Sequence, residues 1–100
     1  NKQILIVLGE QGTLINVARG SVVDQTALIE ALADKTIDSA GLDVFAEEPC
    51  RGDIFKGLNN VVLSPHHASG TVETRANMAQ MVVDNLEAYF SGKALITPVN

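Results

Sequence analysis

Residues 61–67, VVLSPHH, decide the fold: three aliphatic residues, then Ser-Pro, then two histidines. An apolar run this short, cut off by a proline that cannot donate to a sheet ladder, reads as a buried strand with a polar tip. Two earlier stretches share that build. LINVARG, residues 14–20, runs apolar into Arg19. AGLDVFAEEP, residues 40–49, carries Asp43 and ends in Glu47, Glu48 and Pro49. Laid parallel, the three runs gather an arginine, carboxylates and a histidine on one sheet edge. In open α/β sheets that carboxyl edge is where ligands bind.

A helix joins the first two runs, a loop joins the second to the third, and helices flank the set. Residues 2–8 read as the last turns of a helix closed by Gly9. A turn over residues 10–12 leads to the first strand, residues 14–17, and Gly20 permits a tight exit. Asp24 is a good N-cap for a helix over residues 25–33, whose Ala27, Leu28, Ala31 and Leu32 form a buried stripe. The second strand covers residues 39–45, with Gly41 where a close neighbour is expected to pass. A loop rich in Gly, Pro and Asn follows, with a helical turn at residues 54–56, and the third strand is residues 61–63. Thr71 caps the longest helix, residues 72–90. Ala76, Ala79, Val82 or Val83, Leu86 and Tyr89 or Phe90 recur along one side of it, and Glu73, Asn77, Gln80, Asp84 and Glu87 take the other. Met78 and Met81 read as packing residues. Gly92 stops the helix, and residues 95–100 form an extended tail. Strand–helix–strand with short loops implies right-handed parallel crossovers and half of a doubly wound sheet. Three strands are few for such a sheet, and one face has too few helices to cover it.

Composition narrows the function. The 100 residues carry a net charge of −5, and the seven Lys and Arg are scattered, so no basic face invites nucleic acid or an anionic membrane. No apolar run approaches the roughly 20 residues of a membrane span. Only 4% of residues are aromatic and there is no Trp, which suits an aliphatic α/β core. Cys50 is the single cysteine, so no internal disulfide forms and a reduced, cytoplasmic setting is expected. Its neighbour Arg51 would activate it only mildly, and most lone cysteines are incidental. The adjacent His66 and His67 do not make a metal site: neighbours in extended backbone point to opposite sides, and no third ligand stands at a zinc-like spacing.

Taken singly, the polar residues at the strand ends have bland explanations. A histidine after a strand is more often a surface or satisfied core residue than a catalyst, Glu48 reads as a solvated loop residue, and Arg19 as a partner for some surface acid. Together they suggest more. An imidazole exchanges protons near neutrality, a carboxylate beside it favours its charged form and fixes its ring, and a guanidinium fork grips a carboxylate at two points. Such a trio suits an α-keto or α-hydroxy acid, clamped by Arg19 while His66 and Glu48 move a proton.

LINVARGSVVD, AGLDVFAEEP and LSPHHASGT resemble three consecutive motifs of the D-isomer-specific 2-hydroxyacid dehydrogenases. GTVETRANMA…NLEAYFSGKALITPV is similar to the glyoxylate, hydroxypyruvate and hydroxyphenylpyruvate reductase branch. The resemblance covers the whole chain and implies a partial Rossmann-like doubly wound parallel sheet of about three strands with a long C-terminal helix. It implies that Arg19 binds the substrate carboxylate and carbonyl, that His66 is the general acid/base, and that Glu48 is its partner. It also implies that Asp43 binds the nicotinamide carboxamide, with Val17, Ala18, Arg19 and His66 lining the same ring. The cofactor implied is NAD or NADP, the branch favouring NADP, and the partner a small 2-keto or 2-hydroxy acid. Two departures stand out. His67 follows the histidine where the family usually has an aliphatic residue, and no G-x-G-x-x-G occurs, since Gly9-Glu10-Gln11-Gly12 precedes a strand instead of joining strand to helix. Residues 1–100 are therefore expected to be the C-terminal part of the NAD(P)-binding domain, plus the helix and tail that return to a catalytic domain outside them. The long helix would then leave apolar surface exposed, so a homodimer or self-association is expected. A second expectation is that these 100 residues alone form a catalytically inactive folding or interaction module. A regulatory α/β domain would need all three motifs to coincide in order by accident.

Overall fold

The computed structural model describes residues 1–99, and the chain divides into two compact units, the first ending at His67 and the second beginning at Ala68. In the first unit the order is α1 (Lys2–Leu8), β1 (Thr13–Asn16), α2 (Gln25–Ala33), β2 (Ser39–Leu42) and β3 (Val61–Leu63), with 3₁₀ turns at Gly20–Val22 and Gly52–Phe55. The second unit is α3 (Val72–Phe90) and its tail. Asn1, Asp24 and Thr71 cap the helices with side-chain oxygens that accept from Ile4 N, Ala27 N and Thr74 N. Gly9 (φ 81°) closes α1 as its glycine predicts.

The sheet is a Rossmann-like parallel one, ordered β1-β2-β3, with Leu14, Ala40 and Val61 on one rung, Ile15, Gly41 and Val62 on the next, and Asn16, Leu42 and Leu63 on the last. Successive rungs face opposite sides. The outer two rungs turn toward the helices. Leu5 of α1, the α2 stripe Ala27, Leu28, Ala31 and Leu32, and Ile37, Ala40, Leu42 and Phe55 form one cluster, with Leu14 and Val61 packed against it. The middle rung faces the other way and is bare: Ile15 is 72% exposed and Val62 73%. A sheet buried on both faces needs helices on both, and this unit supplies them to one.

Two strands differ from expectation for a shared reason. β2 stops at Leu42 instead of residue 45, and β1 spans 13–16 instead of 14–17. Val17 leaves the ladder because the Asn16 side chain captures the backbone of Ala18 and Arg19 and turns the chain. Asp43 N still donates to Asn16 O, and Ser64 N to Leu42 O, but beyond those bonds neither neighbour continues beside β2. Pro65 ends β3 as expected. The helical turn expected over residues 54–56 is the 3₁₀ turn Gly52–Phe55, anchored by buried Phe55, whose ring meets that of Phe45 edge-on at 6.1 Å.

In the second unit α3 is amphipathic, yet its apolar side is open. Met78 and Met81 are 55% and 47% exposed rather than packed, Val82, Leu86 and Tyr89 are exposed with them, and Ala88 is the buried residue of the helix among those described. The tail is held by one side chain. Asn85 Oδ1 accepts from Ile96 N and Thr97 N, while its Nδ2 donates to Thr97 Oγ1 and Met81 O. Asn100, the end of the expected tail, lies outside the described residues. Among the described residues no helix is long and apolar enough to cross a membrane.

The glycines exchange roles. A Cβ on Gly41 would meet only Ile15 Cγ1 at 3.7 Å, an ordinary contact, so no close neighbour passes there. A Cβ on Gly20 would lie 1.8 Å from the Phe45 carbonyl oxygen, against backbone that cannot step aside. Gly20→Ala is therefore expected to cost about 3 kcal/mol or more of folding stability. Gly41→Ala is expected to stay within about 0.5 kcal/mol of the parent. Urea denaturation of the two variants measures both, and equal stabilities would overturn the assignment of Gly20 to a close backbone contact.

Candidate active site

Because the strands are parallel and end on one rung, the segments that follow them share an edge: residues 17–19 after β1, Asp43 and the loop to Glu48 after β2, residues 64–67 after β3. Backbone amides that leave a ladder must find other partners. Here polar side chains supply them. Asn16 Oδ1 accepts from Ala18 N at 3.1 Å, Asp43 Oδ1 from His67 N at 3.0 Å, Glu48 Oε1 from Phe45 N at 3.1 Å, and Gln25 Oε1 from Ala46 N at 2.9 Å.

His66 and Glu48 are in direct contact. His66 Nδ1 lies 2.6 Å from Glu48 Oε2, and both side chains remain more than a third exposed. With the carboxylate ionised it can only accept, so Nδ1 donates and Nε2 is the nitrogen left for chemistry. His66 sits at φ 55°, in the left-handed region that costs a residue bearing a Cβ roughly 1–3 kcal/mol. Two bonds flank that strained residue: its ring is tied to Glu48, and the amide of the next residue to Asp43. Nothing in VVLSPHH announces this conformation.

The pair is also an electrostatic unit. The hydrogen bond from His66 is the main cause that holds the Glu48 carboxyl below its ordinary 4.5, with the Phe45 amide second; burial opposes them, and the charges of His66 and Arg19 add smaller lowering effects. Arg19 is thus near enough to act on Glu48, but its guanidinium is turned onto its own chain, Nη1 donating to Ala18 O at 2.6 Å. Among the expected ring-lining residues, Val17 is 59% exposed at the same edge and Ala18 is exposed beside it, whereas Asp43 is buried, with 5% of its surface accessible. The structure therefore joins Glu48 to His66 and Asp43 to the backbone after His66, and leaves Arg19 linked to them through its field.

A pocket of about 290 Å³ adjoins the pair, walled by Phe45, Pro49, Cys50, Leu63 and Pro65 with Glu48 and His66. Cys50 lines it as a passive wall. Burial, with the carboxylates of Asp53, Glu47 and Glu48, pushes its thiol above the usual range, the opposite of activation by Arg51. The residue that sequence reading passed over is Asn16. Its place in N-x-x-R-G was visible, but its burial at 5% was not.

With that geometry in place, comparison with known proteins is decisive. Residues 1–68 match the model of the D-isomer specific 2-hydroxyacid dehydrogenase, NAD binding domain. The chain belongs to this family. Among curated relatives, it is 54% identical over 99 residues to 2-ketogluconate reductase of Gluconobacter oxydans and to hydroxyphenylpyruvate reductase of Plectranthus scutellarioides, covering 99% of the chain and 32% of each relative. Among solved structures, the NADPH-dependent glyoxylate/hydroxypyruvate reductase of Sinorhizobium meliloti, in complex with NADP and malonate, is 50% identical with a TM-score of 0.83, covering 99% of the chain and 31% of that one. A D-isomer specific 2-hydroxyacid dehydrogenase from Xanthobacter autotrophicus, in complex with NADPH and MES, is 37% identical with a TM-score of 0.83. The chain spans about a third of the length of the curated relatives it matches.

Since the folded Glu48 titrates lower than the unfolded chain, its contribution to stability is complete above about pH 4.5 and is lost as pH falls through the lowered value. Carboxyl-carbon NMR should place the Glu48 midpoint below 4.5, and His66→Ala should move it upward, because the largest cause of the shift is gone. A midpoint that stays put in His66→Ala would show that the contact does not form in solution.

Proposed function

We propose that this chain is the acid–base portion of an NAD(P)H-dependent reductase that converts a small 2-keto acid to the D-2-hydroxy acid. The observation that carries the reading is the 2.6 Å contact of His66 with Glu48 at the carboxyl edge of a parallel sheet, in a chain of this family. Glyoxylate and hydroxypyruvate are the substrates favoured, since the solved relative at 50% identity is a glyoxylate/hydroxypyruvate reductase. NADPH is the favoured reductant, because the solved relatives at 50% and 37% identity hold NADP or NADPH.

The residues at this edge suit the nicotinamide end of such a cofactor. Val17 offers an exposed apolar surface to a flat ring, Asp43 a carboxylate for a carboxamide, and the backbone of Ala18 and Arg19 the ring's border. When bound, the cofactor supplies hydride to the carbonyl carbon. His66 gives its Nε2 proton to the carbonyl oxygen as negative charge develops there, while Glu48, holding Nδ1, fixes the ring. The Arg19 guanidinium exchanges its bond to Ala18 O for the substrate carboxylate and polarises the carbonyl. Asp43 holds the His67 amide and so the turn on which His66 stands.

The second expectation, a non-catalytic module, gains nothing from the relatives named above, which are dehydrogenases and reductases. It keeps a narrower form. The 100 residues contain no G-x-G-x-x-G, so as an isolated polypeptide they are expected to bind NADH or NADPH weakly or not at all. Titration of either cofactor followed by its fluorescence checks this, and micromolar binding would refute it. In the intact reductase carrying this chain, His66→Ala is expected to lower kcat for 2-keto acid reduction by about 10²–10⁴-fold, the usual worth of general acid catalysis. Turnover near the parent's in that variant would sink the assignment.

A further inference from the structure

We infer that Asn16 is a positioning residue for the substrate carboxylate, acting through the turn at residues 17–19 to set where Arg19 stands. The inference rests on the proposed role of Arg19.

Asn16 is the last residue of β1 and is nearly buried, with 5% of its surface exposed. A buried primary amide is costly unless both its ends are hydrogen-bonded. Both are, and both go to the backbone of the turn that follows. Oδ1 accepts from Ala18 N at 3.1 Å, and Nδ2 donates to Arg19 O at 3.0 Å. One acceptor and one donor are in use at once. Aspartate offers no donor at neutral pH, and a hydroxyl has a single atom for both bonds. Asparagine therefore fits a requirement that strand termination alone would not impose.

The same residue reaches the rest of the edge through its main chain, since Asn16 O accepts from Asp43 N at 3.0 Å. At the far end of the turn, Gly20 is seated so close to the Phe45 carbonyl that no side chain fits. Arg19 thus leaves a segment clamped at both ends, its carbonyl held by Asn16 Nδ2 and by Val22 N at 3.2 Å. These contacts fix the backbone from which the guanidinium extends. Loss of the Asn16 clamp loosens the base from which that fork is aimed.

Steady-state kinetics of the full-length reductase carrying this chain test the inference, with Asn16→Asp, Asn16→Ala, Arg19→Ala and the double variant of the two alanines. Asn16→Asp keeps the shape and the acceptor but removes the donor, and it carries the test where Asn16→Ala fails to fold. The expected result is a rise of about tenfold in KM for the 2-keto acid, the scale of one or two neutral hydrogen bonds, with a smaller rise in KM for NADPH, whose nicotinamide end borders the same turn, and a thermal midpoint close to the parent's. A merely structural role would move both constants and the thermal midpoint together. In the double variant the Asn16 change should add nothing to the Arg19→Ala effect on KM, because its action passes through Arg19. Multiplying effects, or an unchanged keto-acid KM in Asn16→Asp, would overturn the inference. An unchanged KM in Arg19→Ala would overturn the proposed role of Arg19 itself, and the positioning role with it.

Discussion

Three parallel strands ending on one rung are the constraint on which the rest of this edge depends. Asn16, Leu42 and Leu63 are level with one another, and past them the chain has backbone amides with no ladder to enter. Such groups cannot be left unpaired where water is scarce. Asn16, Asp43, Glu48 and Gln25 answer that need, each accepting from an amide within the segments beyond the strands. Three of those acceptors, Asn16, Asp43 and Glu48, also carry proposed roles in the site. Folding and chemistry thus draw on the same side chains, and a carboxylate placed to finish a loop is already in place to hold an imidazole.

Glu48 illustrates the overlap. One oxygen closes its own loop on Phe45 N and the other meets His66, so the loop cannot relax without releasing the ring. His66 in turn occupies a left-handed backbone conformation that is uncommon for a residue bearing a Cβ. It is held on both sides, by Glu48 on the ring and by Asp43 on the following amide. Strain held in this way at the proposed proton donor is a familiar feature of functional sites, where the surrounding structure outweighs a local cost of roughly 1–3 kcal/mol.

Away from this edge many large apolar side chains stand exposed. Ile15 and Val62 on the middle rung, Ile4 and Val7 on α1, and the Met78–Met81–Leu86–Tyr89 side of α3 all face outward. Each lies on a regular element whose other side carries the polar residues or the core. Residues that span about a third of their relatives' length are in keeping with elements built to be covered on a second side.

The sequence by itself determined the elements and their order, because each signal is local. Asp24 and Thr71 are caps whose own side chains bond three residues ahead, Pro65 stops β3 by lacking an amide hydrogen, and the spacing of Ala27, Leu28, Ala31 and Leu32 is that of one helix face. The candidates Arg19, Glu48 and His66 were legible for a similar reason: a strand's carboxyl end can be read from its apolar run, and the three motifs stand in family order. Only the tertiary structure decided which of them touch. The 2.6 Å contact joins residues 18 apart in sequence, the register that sets β2 ending at Leu42 is imposed by neighbouring strands, and Asn16 becomes an anchor only because the core closes over it. Gly20 and Gly41 show the limit most plainly. Gly20 reads as a tight exit and Gly41 as a place of close approach, and the difference between 1.8 Å and 3.7 Å is made by Phe45 and Ile15, which no reading of the glycines themselves can place.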